Sequence, residues 1–285
     1  MEYPSSLLLK PADRPAVLKK PFVKLAGDYG KLIQRGIEAG LQDMVPARKI
    51  WMHRGVRVYA GAFAVGKDCD EDRVIMAACP INQLVDKKRM VKPEFAYLPR
   101  LRSLQTKPGV KMVKWKRDAR HYFFQLRLHP RWRKYLAVPP LKEKGRPDMS
   151  PRMTCAPMGF APSAGWAQVL TDFCPRDLPA AQKIGYTEAL PSTWPVWGSI
   201  IDDVLAVGEA EAPDDVLKVE SWMEQVEGEW STAGVEVNAK KSVNADETVE
   251  IQGATLHARD HWLGTSVHRR VHLMAATFNV VAQGG

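Results

Sequence analysis

The 285-residue sequence contains no long hydrophobic run and few cysteines. No segment approaches the roughly 18 consecutive apolar residues that a membrane-spanning helix needs. The apolar run at Leu7–Leu9 is too short for the core of a signal peptide. The four cysteines, Cys69, Cys79, Cys155 and Cys174, form no Cys-x-x-Cys pair. We therefore expect an intracellular protein with reduced thiols and no membrane contact, and the sequence leaves both cytoplasm and nucleus open.

Basic residues exceed acidic residues by 41 to 32, which gives a net charge of +9. The excess is concentrated between Arg100 and Arg152, where sixteen Lys and Arg residues stand against three acidic ones. The sign reverses between Asp202 and Glu229, where ten acidic residues accompany Lys218 alone. The basic segment has two interpretations, a solvated surface or a surface for an anionic partner such as nucleic acid.

Hydrophobic periodicity predicts a mixed α+β chain. One helix is expected over Tyr29–Met44, and a second for about a dozen residues from Pro162. A third helix is expected to end at Gly234. Its apolar face is made of Val219, Trp222, Met223, Val226 and Trp230. Strands are expected at Val56–Val65, Arg73–Cys79, Val110–Arg117, Lys134–Val138, Met153–Cys155 and Val249–Leu256. A hairpin is expected from Val196–Ile201 and Val204–Val207.

Asp202 and Asp203 lie between the two apolar segments of this hairpin. Taken alone, the pair indicates a surface turn, because Asp is common in turns. The alternative is a site for divalent ions, since adjacent carboxylates and a third from a neighbouring strand can hold two ions about 3.5–4 Å apart. Asp118 follows the strand predicted over Val110–Arg117 and is placed to be the third carboxylate.

Six segments occur along the chain in a fixed order. They are the pair Gly61–Lys67 and Arg73–Asn82, then Asp118-Ala-Arg-His-Tyr-Phe-Phe-Gln-Leu-Arg-Leu-His-Pro130, Ala156-Pro-Met-Gly-Phe-Ala-Pro-Ser-Ala164, Ile200-Ile-Asp-Asp203, Ala233-Gly-Val-Glu-Val-Asn-Ala-Lys-Lys-Ser242 and Ile251-Gln-Gly253. In this order, over roughly residues 55–256, they resemble the motifs of reverse transcriptases. The style is closest to retroelements of the gypsy-type LTR, pararetroviral and tyrosine-recombinase groups.

The resemblance implies an α+β right-hand polymerase with fingers, a palm of antiparallel strands and helices, and a truncated thumb. The boundaries that follow are an N-terminal extension over 1–54, fingers over 55–117, a palm with a fingers insertion over 118–256, and the start of a thumb over 257–285. The resemblance also implies that the chain is a fragment or degenerate copy of a larger polyprotein.

The same resemblance implies the roles of the acidic residues. Asp118, Asp202 and Asp203 would bind two Mg²⁺ ions, for which Mn²⁺ could substitute, with Asp118 and Asp202 as the principal ligands. Lys241 is the candidate for protonating the leaving pyrophosphate. These four residues are the catalytic set that the resemblance implies.

Nucleotide and primer contacts are implied as well. Lys67 and Arg73 would bind the phosphates of the nucleotide, as would the backbone amides of Ala119 and Arg120. Phe123 would be a steric gate against a 2′-hydroxyl. Met158 and Gly159 would also contact the nucleotide. Primer or template contacts fall to Ile200, Gln252 and Gly253. Ile200 stands where the family usually has an aromatic residue.

The function implied is RNA-directed DNA polymerase activity, in which dNTPs are added to a primer 3′-hydroxyl on an RNA or DNA template. The alternative is a catalytically inactive remnant that still binds nucleic acid. An RNA-dependent RNA polymerase is less consistent, because Phe123 would exclude ribonucleotides. The sequence leaves open the oligomeric state and the activity of the chain in isolation.

Overall fold

The computed structural model describes residues 3–24, 28–66, 72–96, 110–140, 148–185, 191–246, 248–251, 254–257 and 262–265. The chain is divided into two compact units. The first unit comprises Met1–Pro93 and His121–Val169, and the second comprises Glu94–Arg120 and Leu170–Gly285. The predicted fingers, palm and thumb boundaries follow different divisions and stay predictions.

Seven α-helices lie in the described residues: α1 Pro4–Leu7, α2 Tyr29–Glu38, α3 Cys79–Asn82, α4 Tyr122–Gln125, α5 Pro130–Arg133, α6 Ala161–Phe173 and α7 Pro213–Thr232. The strands are β1 Val23–Lys24, β2 Gln42–Pro46, β3 Met52–His53, β4 Val56–Arg57, β5 Gly61–Gly66, β6 Asp72–Ala77, β7 Met112–Asp118, β8 Met149–Met153, β9 Val196–Ile200, β10 Asp203–Glu209, β11 Val243–Asp246, β12 Thr248–Ile251, β13 Ala254–His257 and β14 Trp262–Thr265. Within this part of the chain, no helix has both the length and the apolar character needed to cross a membrane.

Three small sheets build the first unit. Strand β5 pairs with β1 in parallel and with β6 in antiparallel orientation, while β2–β8 and β3–β4 are antiparallel pairs. Edge-to-face aromatic contacts join Trp132, Phe160 and Trp166, with ring centroids 5.4–5.7 Å apart. Trp132 is fully buried, so this cluster is core packing.

The second unit is built on an antiparallel sheet with the strand order β11-β7-β10-β9. Strand β7 lies inside the sheet and all seven of its residues are buried. Helix α7 packs on β7 and β10 through Val219, Trp222, Met223, Val226 and Trp230, the five residues that the periodicity predicts. Gly234, at φ +73°, follows the helix end, which confirms its predicted role.

Strand β7 is unusual because its buried side chains include three basic ones. Lys114, Lys116 and Arg117 are each at most 8% exposed. Arg117 forms an ion pair with Glu227 of α7 and donates to the carbonyl of Val243 at 3.0 Å. These three residues therefore lie within the protein, and any phosphate-binding surface of the basic segment has to come from its exposed members.

Five sequence predictions need correction. The strand expected over Met153–Cys155 is β8, which spans Met149–Met153 and ends where the predicted strand begins. The helix from Tyr29 ends at Glu38, where Gly40 at φ +68° turns the chain into β2. The strand expected over Val56–Val65 is split into β4 and β5. No strand forms over the described residues 134–138, where Ala137 makes a single bridge to Arg152.

The last correction concerns Val249–Leu256. This segment forms two antiparallel strands, β12 and β13, instead of one strand. Its central Gly253 lies outside the described residues. The broader prediction of a mixed α+β fold is confirmed, because the helices and sheets alternate along the chain.

The close approach of β5 to the preceding chain predicts opposite effects of alanine at two glycines. A Cβ atom on Gly61 would lie 1.6 Å from the carbonyl oxygen of Phe22, whereas one on Gly228 in α7 would meet nothing within 4 Å. Gly61→Ala should lower the free energy of unfolding by roughly 1–3 kcal/mol because backbone has to move. Gly228→Ala should raise it by about 0.5–1 kcal/mol through helix propensity. Urea unfolding of both variants tests this, and equal effects would contradict it.

Candidate active site

The candidate site lies at one end of the central strand pair of the second unit. In the register of β7 and β10, Asp118 is directly opposite Asp203. Asp202 occupies the turn between β9 and β10, because Ile200 pairs with Asp203 across the hairpin. The predicted turn therefore contains Ile201 and Asp202, and Asp203 is the first residue of β10. The fold brings the three predicted carboxylates to one end of the sheet.

The turn has a backbone conformation that its sequence does not favour. Ile201 has a φ of +51°, which a two-residue hairpin turn demands at its first position and a β-branched side chain disfavours. The carbonyl of Ile201 accepts a hydrogen bond from the Thr171 hydroxyl. The carbonyl of Asp202 accepts one from the Ala119 amide at 2.7 Å. Tertiary hydrogen bonds therefore hold the turn and orient Asp202 beside the end of β7.

Each of the two facing carboxylates is engaged by basic or amide groups. Asp118 Oδ1 accepts a hydrogen bond from Asn238 Nδ2 at 3.1 Å, and its Oδ2 lies 3.4 Å from Lys241 Nζ. Asp203 Oδ1 lies 3.1 Å from Lys116 Nζ. Lys241 is thus brought to the predicted carboxylates, whereas Lys116 and Asn238 are contacts that the sequence analysis did not assign. Strand periodicity could have indicated Lys116, which is two residues before Asp118 and on the same face.

Burial of negative charge dominates the electrostatics of the site. Burial raises the pKa of Asp203 to about 6, the nearby carboxylates of Asp202 and Asp118 add to that rise, and Lys116 opposes it. Burial also raises the pKa of Asp202, with Asp118 adding to the rise and Lys241 and Lys116 opposing it. Asp202 has no ion-pair partner among the described residues. The site therefore carries more negative charge than its two lysines compensate.

This donor set fits a hard divalent cation in its chemistry. Carboxylate oxygens are the ligands that Mg²⁺ prefers, and a cation would supply the missing positive charge. In the described part of the chain, however, no three His, Cys, Asp or Glu side chains converge on one ion position. The carboxylates of Asp118 and Asp203 each lie against a lysine ammonium group instead. Binding an ion would require at least one of these contacts to open.

Three other predicted residues of the second unit adjoin the carboxylates. The amides of Ala119 and Arg120 donate to the carbonyls of Asp202 and Glu236, at 2.7 and 2.8 Å. Contact of these amides with a triphosphate would require both hydrogen bonds to be exchanged, so that role stays a prediction. The side chain of Ile200 packs against the buried cluster that includes Leu205.

The remaining predicted residues of the described chain belong to the first unit. Arg73 is exposed on β6, and Phe123 is half-buried in α4. Met158 is half-buried and Gly159 is exposed in the loop before α6. Lys67, Gln252 and Gly253 lie outside the described residues. The nucleotide and primer roles of all these residues stay predictions.

The loop of Met158 and Gly159 is fastened to the β5–β6 hairpin and its continuation. Met158 accepts a hydrogen bond from the Met76 amide at 2.9 Å. The Asn82 side chain donates to the carbonyl of Gly159 and accepts from the amide of Ala161, both at 2.9 Å. Gly159 has a φ of +93°, and a Cβ there would lie 2.1 Å from the Met76 carbonyl oxygen. In this structure, glycine is required by the approach of β6, a different cause from the nucleotide contact expected from the sequence.

The raised pKa of Asp202 predicts how stability depends on pH without metal. A carboxyl whose pKa is higher in the folded than in the unfolded chain stabilises the fold when protonated, and this stability is lost as the pH rises above its ordinary value of 3.8. Asp202→Asn should remove that loss. In EDTA, the melting temperature of the unmodified chain should therefore fall more between pH 4 and pH 7 than that of the variant. Parallel curves for the two proteins would refute this electrostatic interpretation.

Comparison with known proteins bears on the fold. No family model and no curated protein matches the chain. Among solved structures, the chain is similar to a foamy viral protease–reverse transcriptase "dRH" in complex with double-stranded DNA, with a TM-score of 0.58, 16% identity, and coverage of 90% of this chain and 37% of that one. It is also similar to the foamy viral protease–reverse transcriptase in complex with double-stranded DNA, with a TM-score of 0.57, 14% identity, and coverage of 90% and 44%. The chain spans less than half the length of either protein, and its fold is similar to the fold of these protease–reverse transcriptase structures.

Proposed function

We propose that the chain is the polymerase region of a retroelement reverse transcriptase, which adds dNTPs to a primer 3′-hydroxyl on an RNA or DNA template. The observation that carries the proposal is the register that sets Asp118 opposite Asp203, with Asp202 in the adjoining turn. This arrangement supports nucleotidyl transfer because paired strands and their turn hold the carboxylates together in a reverse-transcriptase-like fold. Activity in this account depends on positioning and charge, with no covalent intermediate.

Two Mg²⁺ ions, replaceable by Mn²⁺, would be held chiefly by Asp118 and Asp202. Such ions activate the attacking hydroxyl and neutralise the leaving phosphate when they are bound. Asn238 fixes the Asp118 carboxylate through Oδ1, which leaves Oδ2 for the contact with Lys241. The side chain of Lys241 is 55% exposed, so it can leave Asp118 at low cost and donate a proton to a departing pyrophosphate.

Selection of the sugar is assigned to Phe123, and binding of the triphosphate to Arg73 with Lys67. A half-buried ring can act as a steric wall, and a guanidinium can bind phosphate oxygens through two parallel hydrogen bonds. The exposed basic residues between Arg100 and Arg152 are assigned to the template–primer backbone. Their binding would be independent of sequence and weakened by salt.

A catalytically inactive remnant that binds nucleic acid is the second candidate. One observation favours it, because no three acidic or other ligand side chains converge on an ion position in the described residues. The two candidates differ in whether the lysine contacts of Asp118 and Asp203 open when a cation and substrate arrive. Both would bind a template–primer duplex, but only the polymerase would extend it.

Primer extension distinguishes the two candidates. On an RNA template with dNTPs and Mg²⁺, the unmodified chain should extend the primer. The double variant Asp202→Asn, Asp203→Asn should lose at least about 10³-fold in rate, because the ion site would be gone. The matched control is Glu220→Gln, Glu224→Gln, which removes two exposed charges from α7 of the same unit. Duplex binding without extension by the unmodified chain would favour the remnant and contradict the polymerase.

Sugar selection provides a separate test of the role of Phe123. Phe123→Ala should raise the efficiency of ribonucleotide incorporation relative to dNTPs by about tenfold or more, because the wall against the 2′-hydroxyl is removed. Phe124→Ala, which removes the neighbouring half-buried ring of α4, is the control and should leave the ratio unchanged. Single-nucleotide incorporation assays with matched dNTP and rNTP pairs give the ratio. An unchanged ratio in Phe123→Ala would remove this residue from sugar selection.

A further inference from the structure

We propose that Lys116 is a positioning residue whose buried ammonium group holds Asp203 as an internal counter-ion and thereby reserves the divalent-ion site for Asp118 and Asp202. The inference deepens the proposed function and rests on it, because it concerns the same three carboxylates. It goes further by assigning a role to a side chain that forms no part of the motifs in the sequence. It also separates Asp203 from the other two carboxylates by what each one contacts.

The register of the sheet produces the contact. Lys116 is opposite Leu205 in the pairing of β7 with β10, and Asp203 is two residues from Leu205 on the same face. Diagonal neighbours of this kind are within reach of a long side chain. Lys116 Nζ accordingly lies 3.1 Å from Asp203 Oδ1. The pair is a consequence of strand pairing, so it forms wherever this register forms.

The two lysines of the site differ in burial. The side chains of Lys116 and Asp203 are 9% and 6% exposed, whereas that of Lys241 is 55% exposed. Withdrawing Lys241 from Asp118 returns an ammonium group to water and costs little. Withdrawing Lys116 from Asp203 would separate two charges that are both buried, which is costly. An arriving cation can therefore displace Lys241 from Asp118, while Lys116 stays on Asp203.

The three carboxylates therefore differ in how available they are to a cation. Asp118 can be released by an exposed lysine, and Asp202 has no ion pair in the described chain. Both are therefore available to a cation. Asp203 is neutralised from within the sheet and influences the ion through its position next to Asp202. Lys116 also compensates the charge of Asp203 when no ion is bound.

Thermal unfolding in EDTA tests the ion pair itself. Lys116→Met keeps the apolar stem and removes the charge, so its melting temperature should fall by roughly 6 °C or more. The double variant Lys116→Met, Asp203→Asn replaces the ion pair with a neutral pair and should recover most of that loss. Lys240→Met removes an exposed charge near the site and is the matched control, expected to melt as the unmodified chain does. If the double variant does not recover stability, or does not fold, the proposed ion pair between Lys116 and Asp203 is refuted.

Calorimetric titration with Mn²⁺ tests whether Lys116 keeps Asp203 from binding the ion. Lys116→Met should bind Mn²⁺ about tenfold more tightly than the unmodified chain, because a competing positive charge is removed and Asp203 becomes available. Mn²⁺ should also raise the melting temperature of this variant more than that of the unmodified chain. A loss of stability in Lys116→Met with unchanged Mn²⁺ affinity would show a merely structural lysine and overturn the proposal.

The same titration separates this inference from the proposed function. If the unmodified chain binds Mn²⁺ and Lys116→Met binds it equally well, the inference fails and the polymerase proposal stands. If neither protein binds Mn²⁺, the ion site of the proposed function fails, and the role of Lys116 in reserving it fails as well.

Discussion

The antiparallel pairing of β7 with β10 is the constraint on which the candidate site depends. A shift by one residue would move Asp118 away from Asp203 and turn the faces of β7 over, because side chains alternate along a strand. The register is fixed from both faces. Arg117 on one face binds Glu227 of α7, and Lys116 on the other face binds Asp203. Packing and function are therefore determined by the same strand alignment.

Excess negative charge is the property that this alignment creates. Three carboxylates meet at a buried end of the sheet, and the pKa values of Asp202 and Asp203 are raised mainly because burial disfavours their charged forms. A fold tolerates such a cluster only with positive charge nearby. Lys116 and Lys241 supply part of it from inside the chain. In the account proposed here, divalent ions and substrate supply the rest during catalysis.

Much of the second unit could be predicted from the sequence. The apolar face of α7, the strand before Asp118 and the hairpin around Asp202 all follow from periodicity and turn chemistry. The burial of Lys114 and Lys116 could not be predicted, because a run of basic residues ordinarily indicates a solvated surface. They are buried because their face of the sheet also carries Met112 and Leu205, which pack with Val249 and Leu256. The contacts of Asn238 and Lys116 with the carboxylates depend on the same long-range pairing.

The first unit shows a different limit of sequence analysis. The nucleotide contact of Gly159 stays a prediction, and its positive φ and the nearby Met76 carbonyl give a structural reason for glycine that a sequence motif does not reveal. The helix from Tyr29 was overextended because apolar residues continue past Gly40 into β2. In both places, contacts between distant segments add information that the local sequence pattern does not contain.

Anomalous diffraction from manganese would test the central claim most directly. Crystals would contain the chain, a primer–template with a terminated primer, a matched dNTP and Mn²⁺. The account predicts anomalous peaks about 2.1 Å from carboxylate oxygens of Asp118 and Asp202, with Lys241 moved away and Lys116 still on Asp203. Bound nucleic acid with no peak at these carboxylates, and with Lys241 still on Asp118, would contradict it.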